Sequence, residues 1–461
     1  RRIMREMEEE CGWMYETWHP HCDHPQRVKG CINYTVWSDV FVCPQCGEEM
    51  VFWNVVVDQE AGEVRKTWDC PNCRVLLAKS SSKKSGAQRV ERAWEMVYNR
   101  ALGRTVRQAK QVPVLINYSV GRKRHGKTPD ADDLALIQKI EESDIPYWFP
   151  TDPMMFKGEQ WGDTWRAGVH AGITHVHHFY TQRNLWVLAA IWNRIANVGF
   201  TGASAKLAFA FTAMLGRASR MYRWNPDRPT GTLSGTLYVP SLGYEFEILA
   251  MFKRRIQSSR KLIRGVNRIR NGEAVTTTQS TTACPNVMGN TIDYVFTDPP
   301  FGGNLMYSEL NFLWEAWLQV FTNNESEAVV NKVQRKGLLE YKRLMEDCFR
   351  EFYRILKPGR WMTVEFHNSQ NRVWNAIQEA ILRAGFMIAD VRTLDKQQGT
   401  FKQVTTSSAV KQDLIISAYR PRTGFERRFQ AQAGTPDGAW DFVRQHLAQL
   451  PVVVERNGGL E

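Results

Sequence analysis

The stretch Thr291-Ile-Asp-Tyr-Val-Phe-Thr-Asp-Pro-Pro-Phe301 runs a short apolar strand, Tyr294 to Phe296, straight into the tetrad Asp298-Pro299-Pro300-Phe301. The carboxyl end of a strand is where open α/β sheets hold their ligands. Two consecutive prolines donate no backbone hydrogen bond and stiffen the chain, so the Asp298 carboxylate and the Pro299 carbonyl can be held as fixed acceptors. Phe301 adds an aromatic face beside them. A planar ring bearing an exocyclic amino group satisfies all three, with the ring stacked on Phe301 and two oxygens accepting the amino hydrogens.

Downstream of the tetrad the pattern alternates between helix and strand. Leu339, Leu344, Met345, Cys348, Phe352 and Leu356 form an amphipathic stripe, and Lys357-Pro-Gly-Arg360 turns the chain into the strand Trp361 to Phe366. A helix over 373–384, a strand near 387–391 and a strand over 413–419 continue this βαβ logic. His367, Asn368 and Ser369 follow the strand that starts at Trp361, where they either line a ligand pocket, the base pocket if the resemblance given below holds, or cap the next helix.

Upstream, Tyr180 to Ile191 opens a helix whose Leu185, Leu188, Ala189, Trp192 and Ile195 recur at helical spacing. Thr181, Gln182 and Arg183 stand at its start, where free backbone donors favour an anionic group. Helices are also expected over 206–223 and 244–270. The second carries Lys253, Arg254, Arg255, Arg260, Lys261, Arg264, Arg268 and Arg270, a phosphate-facing surface in prospect. His175 and His177 would share one face of a strand.

Nearer the amino end, Cys43-Pro-Gln-Cys46 and Cys70-Pro-Asn-Cys73 have the spacing of two metal-binding knuckles. Between them, 51–57 and 64–68 read as paired strands around a turn at 58–62. Four cysteines close a tetrahedron with no open position, so the implied zinc is structural. Residues 79–127 then turn strongly basic and end in Gly121-Arg-Lys-Arg-His-Gly-Lys127. There Arg122, Lys123, Arg124 and Lys127 can follow phosphates without reading bases. The loop His19-Pro-His-Cys-Asp-His24, with Cys31 further on, reads as polar surface sooner than as a metal site, although histidine and cysteine at these spacings can bind a metal.

The totals agree with this picture. A chain of 461 residues that is 43% hydrophobic buries a large core in two or three domains, and its net charge of +12 suits an anionic partner such as nucleic acid. No apolar run approaches the roughly 20 residues of a membrane span, so a cytoplasmic location is expected. Paired Cys-x-x-Cys motifs in such a chain point to metal rather than disulfides. The chain begins at Arg1 inside a charged helical pattern, as a piece of a longer polypeptide would.

Asp298-Pro299-Pro300-Phe301 resembles the (Asp/Asn/Ser)-Pro-Pro-(Tyr/Phe/Trp) motif of S-adenosylmethionine-dependent DNA adenine-N6 and cytosine-N4 methyltransferases. The longer run from Thr297 to Trp317, together with the cysteine segment, resembles a group of large prokaryotic DNA methylases with an inserted zinc ribbon. This likeness spans nearly the whole chain. Thr181-Gln182-Arg183 is similar to a His-Pro-Thr-Gln-Lys-Pro motif that contacts the cofactor in those enzymes, although Phe179, Tyr180, Arg183 and Asn184 depart from it.

The resemblance implies an α/β fold with a class I, Rossmann-like methyltransferase core, an inserted zinc ribbon and a helical basic region. It implies transfer of a methyl group from S-adenosylmethionine to an amino group of a flipped base in double-stranded DNA, adenine N6 before cytosine N4. The strand that runs into Asp298 and the three beyond it would be the fourth to seventh of that core. No glycine-rich cofactor loop follows a strand in this sequence; Phe200-Thr-Gly-Ala-Ser204 lies between helices. The first strands are therefore expected upstream of Arg1 or on a second chain. The expected divisions are 1–37, a ribbon over 38–78, a DNA-contacting insertion over 79–170, the core over 171–421 and an extension over 422–461. Two rivals remain: an RNA guanosine-N2 methyltransferase, and a non-catalytic DNA-binding or target-recognition subunit.

Overall fold

The computed structural model describes residues 2–20, 28–80, 86–156, 159–160, 171–199, 202–227, 231–266, 275–367, 370–395, 412–422, 424–425, 428, 431–432, 434–449, 455–456 and 459–460. Two compact units emerge: Arg1–Glu273 with Glu309–Phe321, and Ala274–Ser308 with Thr322–Glu461. The division runs at 273/274, not at the expected 170/171, because residues 171–266 build the core of the first unit.

The first unit is organised around one long strand. Among its strands are β1 (Glu16–Trp18), β2 (Lys29–Val42), β3 (Trp94–Asn99), β4 (Arg104–Ala109), β5 (Gln111–Val120), β6 (Lys123–Lys127) and β7 (Leu242–Phe246). β2 pairs antiparallel with β1, β5 and β7, and β6 pairs with β5. Ile32, Val36, Val40 and Phe41 of β2 are buried. Two of its buried polar side chains are well partnered: Ser38 Oγ accepts the Trp53 backbone N–H (2.9 Å), and Asp39 accepts from Arg92 Nε (2.9 Å) and Gln111 Nε2 (2.8 Å).

Helices α1 (Arg2–Cys11), α2 (Ala131–Glu141), α3 (Gln182–Asn197), α4 (Gly202–Ala218) and α5 (Ile248–Val266) surround this sheet. α2 starts at a reciprocal cap, in which Asp130 and Asp133 each accept the other's backbone N–H (3.1 and 3.0 Å). From Glu309 onward, α6 (Tyr307–Leu318) belongs to the first unit; its Trp317 is fully buried beside Tyr180 and Phe211.

Several local expectations give way to tertiary packing. Residues 52–56 form one helical turn instead of a strand, which puts Phe52, Trp53 and Val56 into the core, with Phe52 edge-on to Phe41 and Trp68. Residues 242–246 form a strand instead of helix. The next helix starts only after Glu247, whose carboxylate accepts the N–H groups of Leu249 and Ala250 (both 2.6 Å). The basic region over 88–127 is built of strands, so it is not helical. Residues 176–179 form a short 3-10 turn, and His175 and His177 therefore do not lie along a strand. Of the loop at 19–24, positions 21–24 lie outside the described residues.

The second unit holds a four-stranded sheet of β8 (Ile292–Thr297), β9 (Leu356–Phe366), β10 (Met387–Asp395) and β11 (Gln412–Tyr419), in the order β8-β9-β11-β10. β8 and β9 are parallel, and β11 runs antiparallel to both its neighbours. The crossover from β8 to β9 contains α7 (Leu338–Ile355), and α8 (Asn371–Arg383) follows β9. Tyr341, Met345 and Phe349 of α7 and Val373, Ile377, Ala380 and Ile381 of α8 recur at helical spacing and are buried in one core. The expected strand–helix alternation is thus present here. Among the described residues β8 is a terminal strand, and its Tyr294 and Phe296 are exposed. Among the described residues no helix is long and apolar enough to cross a membrane.

Candidate functional site

β8 delivers the chain to Asp298, which is exposed, then to the buried Pro299 and the half-buried Pro300 and Phe301. The loop is held at its centre. The Pro300 carbonyl accepts from the Gly302 N–H (3.0 Å) and from Tyr341 Oη (2.6 Å) on α7. Gly302 takes a left-handed conformation (φ +70°), and its carbonyl accepts the Val330 N–H (3.1 Å). At Gly303 a side chain has little room, since an added Cβ would lie 3.2 Å from the Val330 carbonyl oxygen.

The Phe301 ring stands edge-on to Phe366, with centroids 5.3 Å apart, and 6.0 Å from the ring of His367. His367 Nδ1 lies 2.6 Å from Oδ1 of the buried Asp413. The Tyr307 hydroxyl is pushed up in pKa by burial and, secondarily, by the nearby Asp298 charge. Two expected pocket members, Phe301 and His367, are therefore brought together, while Asn368 and Ser369 lie outside the described residues. The sequence reading missed Asp413. Its only signal was an acidic residue opening an otherwise apolar strand.

The three positions expected at the cofactor part company. Thr181 caps α3, accepting the Asn184 N–H (3.3 Å) and donating to Glu245 Oε1 (2.5 Å). Arg183 is buried, with its guanidinium 3.5 Å from Glu245 Oε2 and over the Tyr15 ring. Trp37 Nε1 donates to the same carboxylate oxygen (2.9 Å), while Tyr15 Oη donates to Asn184 Oδ1 (2.9 Å). Thr181 and Arg183 thus belong to a buried network centred on Glu245.

Gln182 alone reaches a cavity of about 400 Å³, which Tyr98, Phe149, His177 and Arg220 also line. In its wall, Asn99 Nδ2 lies 2.9 Å from His177 Nε2 and 3.0 Å from His178 Nε2. Burial first, then neighbouring histidines, pulls the pKa values of His177 and His178 down to about 3 and about 2.

The sulfur atoms of Cys43, Cys46, Cys70 and Cys73 converge, all within 4.8 Å of one another. Cys43–Cys73 and Cys46–Cys70 are each 3.7 Å apart, close to the ~3.8 Å edge of a tetrahedron with Zn–S bonds of about 2.3 Å. Both knuckles close alike. The Gly47 N–H donates to the Cys43 carbonyl and the Arg74 N–H to that of Cys70 (3.0 Å each), and both donors are left-handed. The donor set fits a zinc ion.

Arg122, Lys123 and Arg124 are exposed at the turn joining β5 and β6. Lys127 is not: its side chain is 6% exposed, and Nζ lies 2.6 Å from Asp130, 2.8 Å from Asp133 and 3.0 Å from the Trp18 carbonyl. Its charge is neutralised inside the fold, so it drops out of the phosphate-contacting set.

No protein-family model and no curated protein sequence matches this chain. Among solved structures, TTHA0409 of Thermus thermophilus, a candidate DNA modification methylase, is similar at 15% identity over 34% of this chain and 59% of its own, with a TM-score of 0.18. Its complex with S-adenosyl-L-methionine is similar at 15% identity over 34% and 61%, with a TM-score of 0.17. The [4+2]-cyclase SpnF is similar at 12% identity over 37% and 64%, with a TM-score of 0.20. The chain therefore spans about six tenths of each of these proteins. Such TM-scores fall short of a shared global fold, so the function has to be read from this chain's own residues.

Proposed function

We propose that this chain carries the target-base site of a DNA amino-methyltransferase acting on adenine N6. The observation that carries the reading is the tetrad Asp298-Pro299-Pro300-Phe301 at the end of a parallel strand, on a loop tied down through Pro300 to Tyr341, with Phe301 flanked by Phe366 and His367. A base flipped out of the duplex stacks on Phe301. Its amino group donates to the Asp298 carboxylate and to the Pro299 carbonyl, which aims the nitrogen lone pair away from both acceptors. Positioning of this kind supplies much of the rate in a direct transfer that needs no covalent intermediate.

S-adenosylmethionine is the methyl source that the resemblance implies. Thr181 and Arg183 are already engaged with Glu245, so these residues do not fit an assembled cofactor cradle. The edge of β8, open among the described residues, leaves room for further strands in this sheet. The four cysteines would hold a structural zinc. A non-catalytic DNA-binding subunit is the second reading, favoured by the engagement of Thr181 and Arg183.

Transfer of labelled methyl groups to duplexes whose only amino-bearing targets are adenine or cytosine tests the proposal, with the Asp298→Ala variant alongside. Transfer to adenine that is lost in Asp298→Ala, with duplex affinity kept, is the expected result. An active Asp298→Ala variant overturns it, and duplex binding without transfer by the unaltered chain leaves the non-catalytic reading.

A further inference from the structure

β3 and β4 form a two-stranded ribbon that, among the described residues, pairs with no other strand. The register sets Trp94 opposite Ala109, Met96 opposite Arg107 and Tyr98 opposite Thr105, so these six positions share one face. The other face turns inward, where Asn99 contacts His177 and His178 and where Val97 and Gln108 line the cavity, whose rim the largely exposed Tyr98 also reaches.

The shared face of Met96 and Tyr98 is open to solvent: those two side chains are 67% and 60% exposed, unusual for large apolar groups on a small ribbon. Arg107 is exposed beside them, its guanidinium 4.3 Å from the centroid of the Trp94 ring, which pre-orients the planar fork. Two more arginines, Arg100 and Arg104, flank the tip. Arg100 makes only a loose surface pair with Asp144 (3.5 Å), readily exchanged for a phosphate. The ribbon's one acid, Glu95, sits at its base, on the same face as its partner Gln108.

From this we infer that the β3–β4 ribbon enters the major groove of duplex DNA, with Arg100 and Arg104 on phosphates and with Met96, Tyr98, Thr105 and Arg107 against base edges. The inference rests on the DNA reading above and names the element that makes the groove contact. The B-form major groove, about 12 Å wide, admits a two-stranded ribbon, whereas the A-form groove of duplex RNA is deep and narrow. Arginine, threonine and apolar side chains are the groups that read base edges and thymine methyls there. Three exposed arginines against a single acid on the ribbon favour a polyanion over a protein partner.

Fluorescence anisotropy of a short labelled duplex across a salt series tests this on the full chain. Arg100→Ala and Arg104→Ala should each weaken binding several-fold and flatten the dependence of log affinity on log salt by roughly 0.9. Tyr98→Ala should weaken binding with the salt dependence unchanged, and duplex RNA of the same sequence should bind more weakly than DNA. Circular dichroism matching the unaltered chain guards against misfolding. Variants that bind with unaltered affinity and salt slope would overturn the ribbon assignment while leaving the DNA reading standing. Preference for duplex RNA would also overturn it, and an unaltered chain that binds no duplex would bring down both.

Discussion

His367 Nδ1 lies 2.6 Å from Asp413 Oδ1, joining the residue that follows β9 to the second residue of β11, directly beside the Phe301 ring. A carboxylate against one ring nitrogen sets the orientation of the imidazole and leaves Nε2 as its other polar atom. Asp413→Asn should lower methyl transfer by roughly ten- to a hundredfold, the scale on which misplacing a contact group counts, with little change in duplex affinity. Steady-state transfer and anisotropy measure the two separately. An unchanged transfer rate would make the pair a packing feature only.

Tyr341 contributes a hydrogen bond at the other side of the loop. Its buried hydroxyl donates to the Pro300 carbonyl, which keeps the Gly302 N–H as a second donor when the hydroxyl is removed. Tyr341→Phe should therefore cost only about 1 kcal/mol of stability. Urea denaturation followed in the second unit reads this; a loss several times larger would mean that the hydroxyl holds more than the loop.

The buried histidines make the first unit sensitive to mild acid. His177 and His178 have folded pKa values of about 3 and about 2, below the ordinary 6.5, so between those limits the unfolded chain binds protons that the folded chain does not. Stability is complete above pH 6.5 and falls as pH drops, by about 1.4 kcal/mol per pH unit for each histidine. Denaturation midpoints between about pH 7.5 and 5 should show the decline, and His178→Gln should flatten it. A slope unaltered by that substitution would refute the assignment.

Zinc removal should act locally. The second unit has its own apolar core, built from residues such as Met362, Val364, Ile377 and Ile416 and containing none of the four cysteines. A chelator should raise hydrogen exchange over residues 43–78 and leave the protection of β9 and β11 intact. Collapse of both would contradict this independence.

Features confined to a few neighbouring residues were legible before any folding was considered. The Asp298 tetrad at a strand end, the two cysteine knuckles, and the amphipathic stripes of α7 and α8 carry their chemistry or periodicity within a short span of sequence. Packing between distant segments settled the rest. Residues 52–56 became helical because Phe52, Trp53 and Val56 find a core to fill, and β7 became a strand because β2 offers it a partner. Thr181 and Arg183 meet Glu245, more than sixty residues away, and Tyr15 meets Asn184 across a separation of 169. Lys127 was a basic loop residue by sequence and is a buried ion-pair partner in the fold. Spacing along the chain reports which groups are present; which of them are desolvated and already paired depends on contacts between segments far apart in sequence, and those form only in the folded molecule.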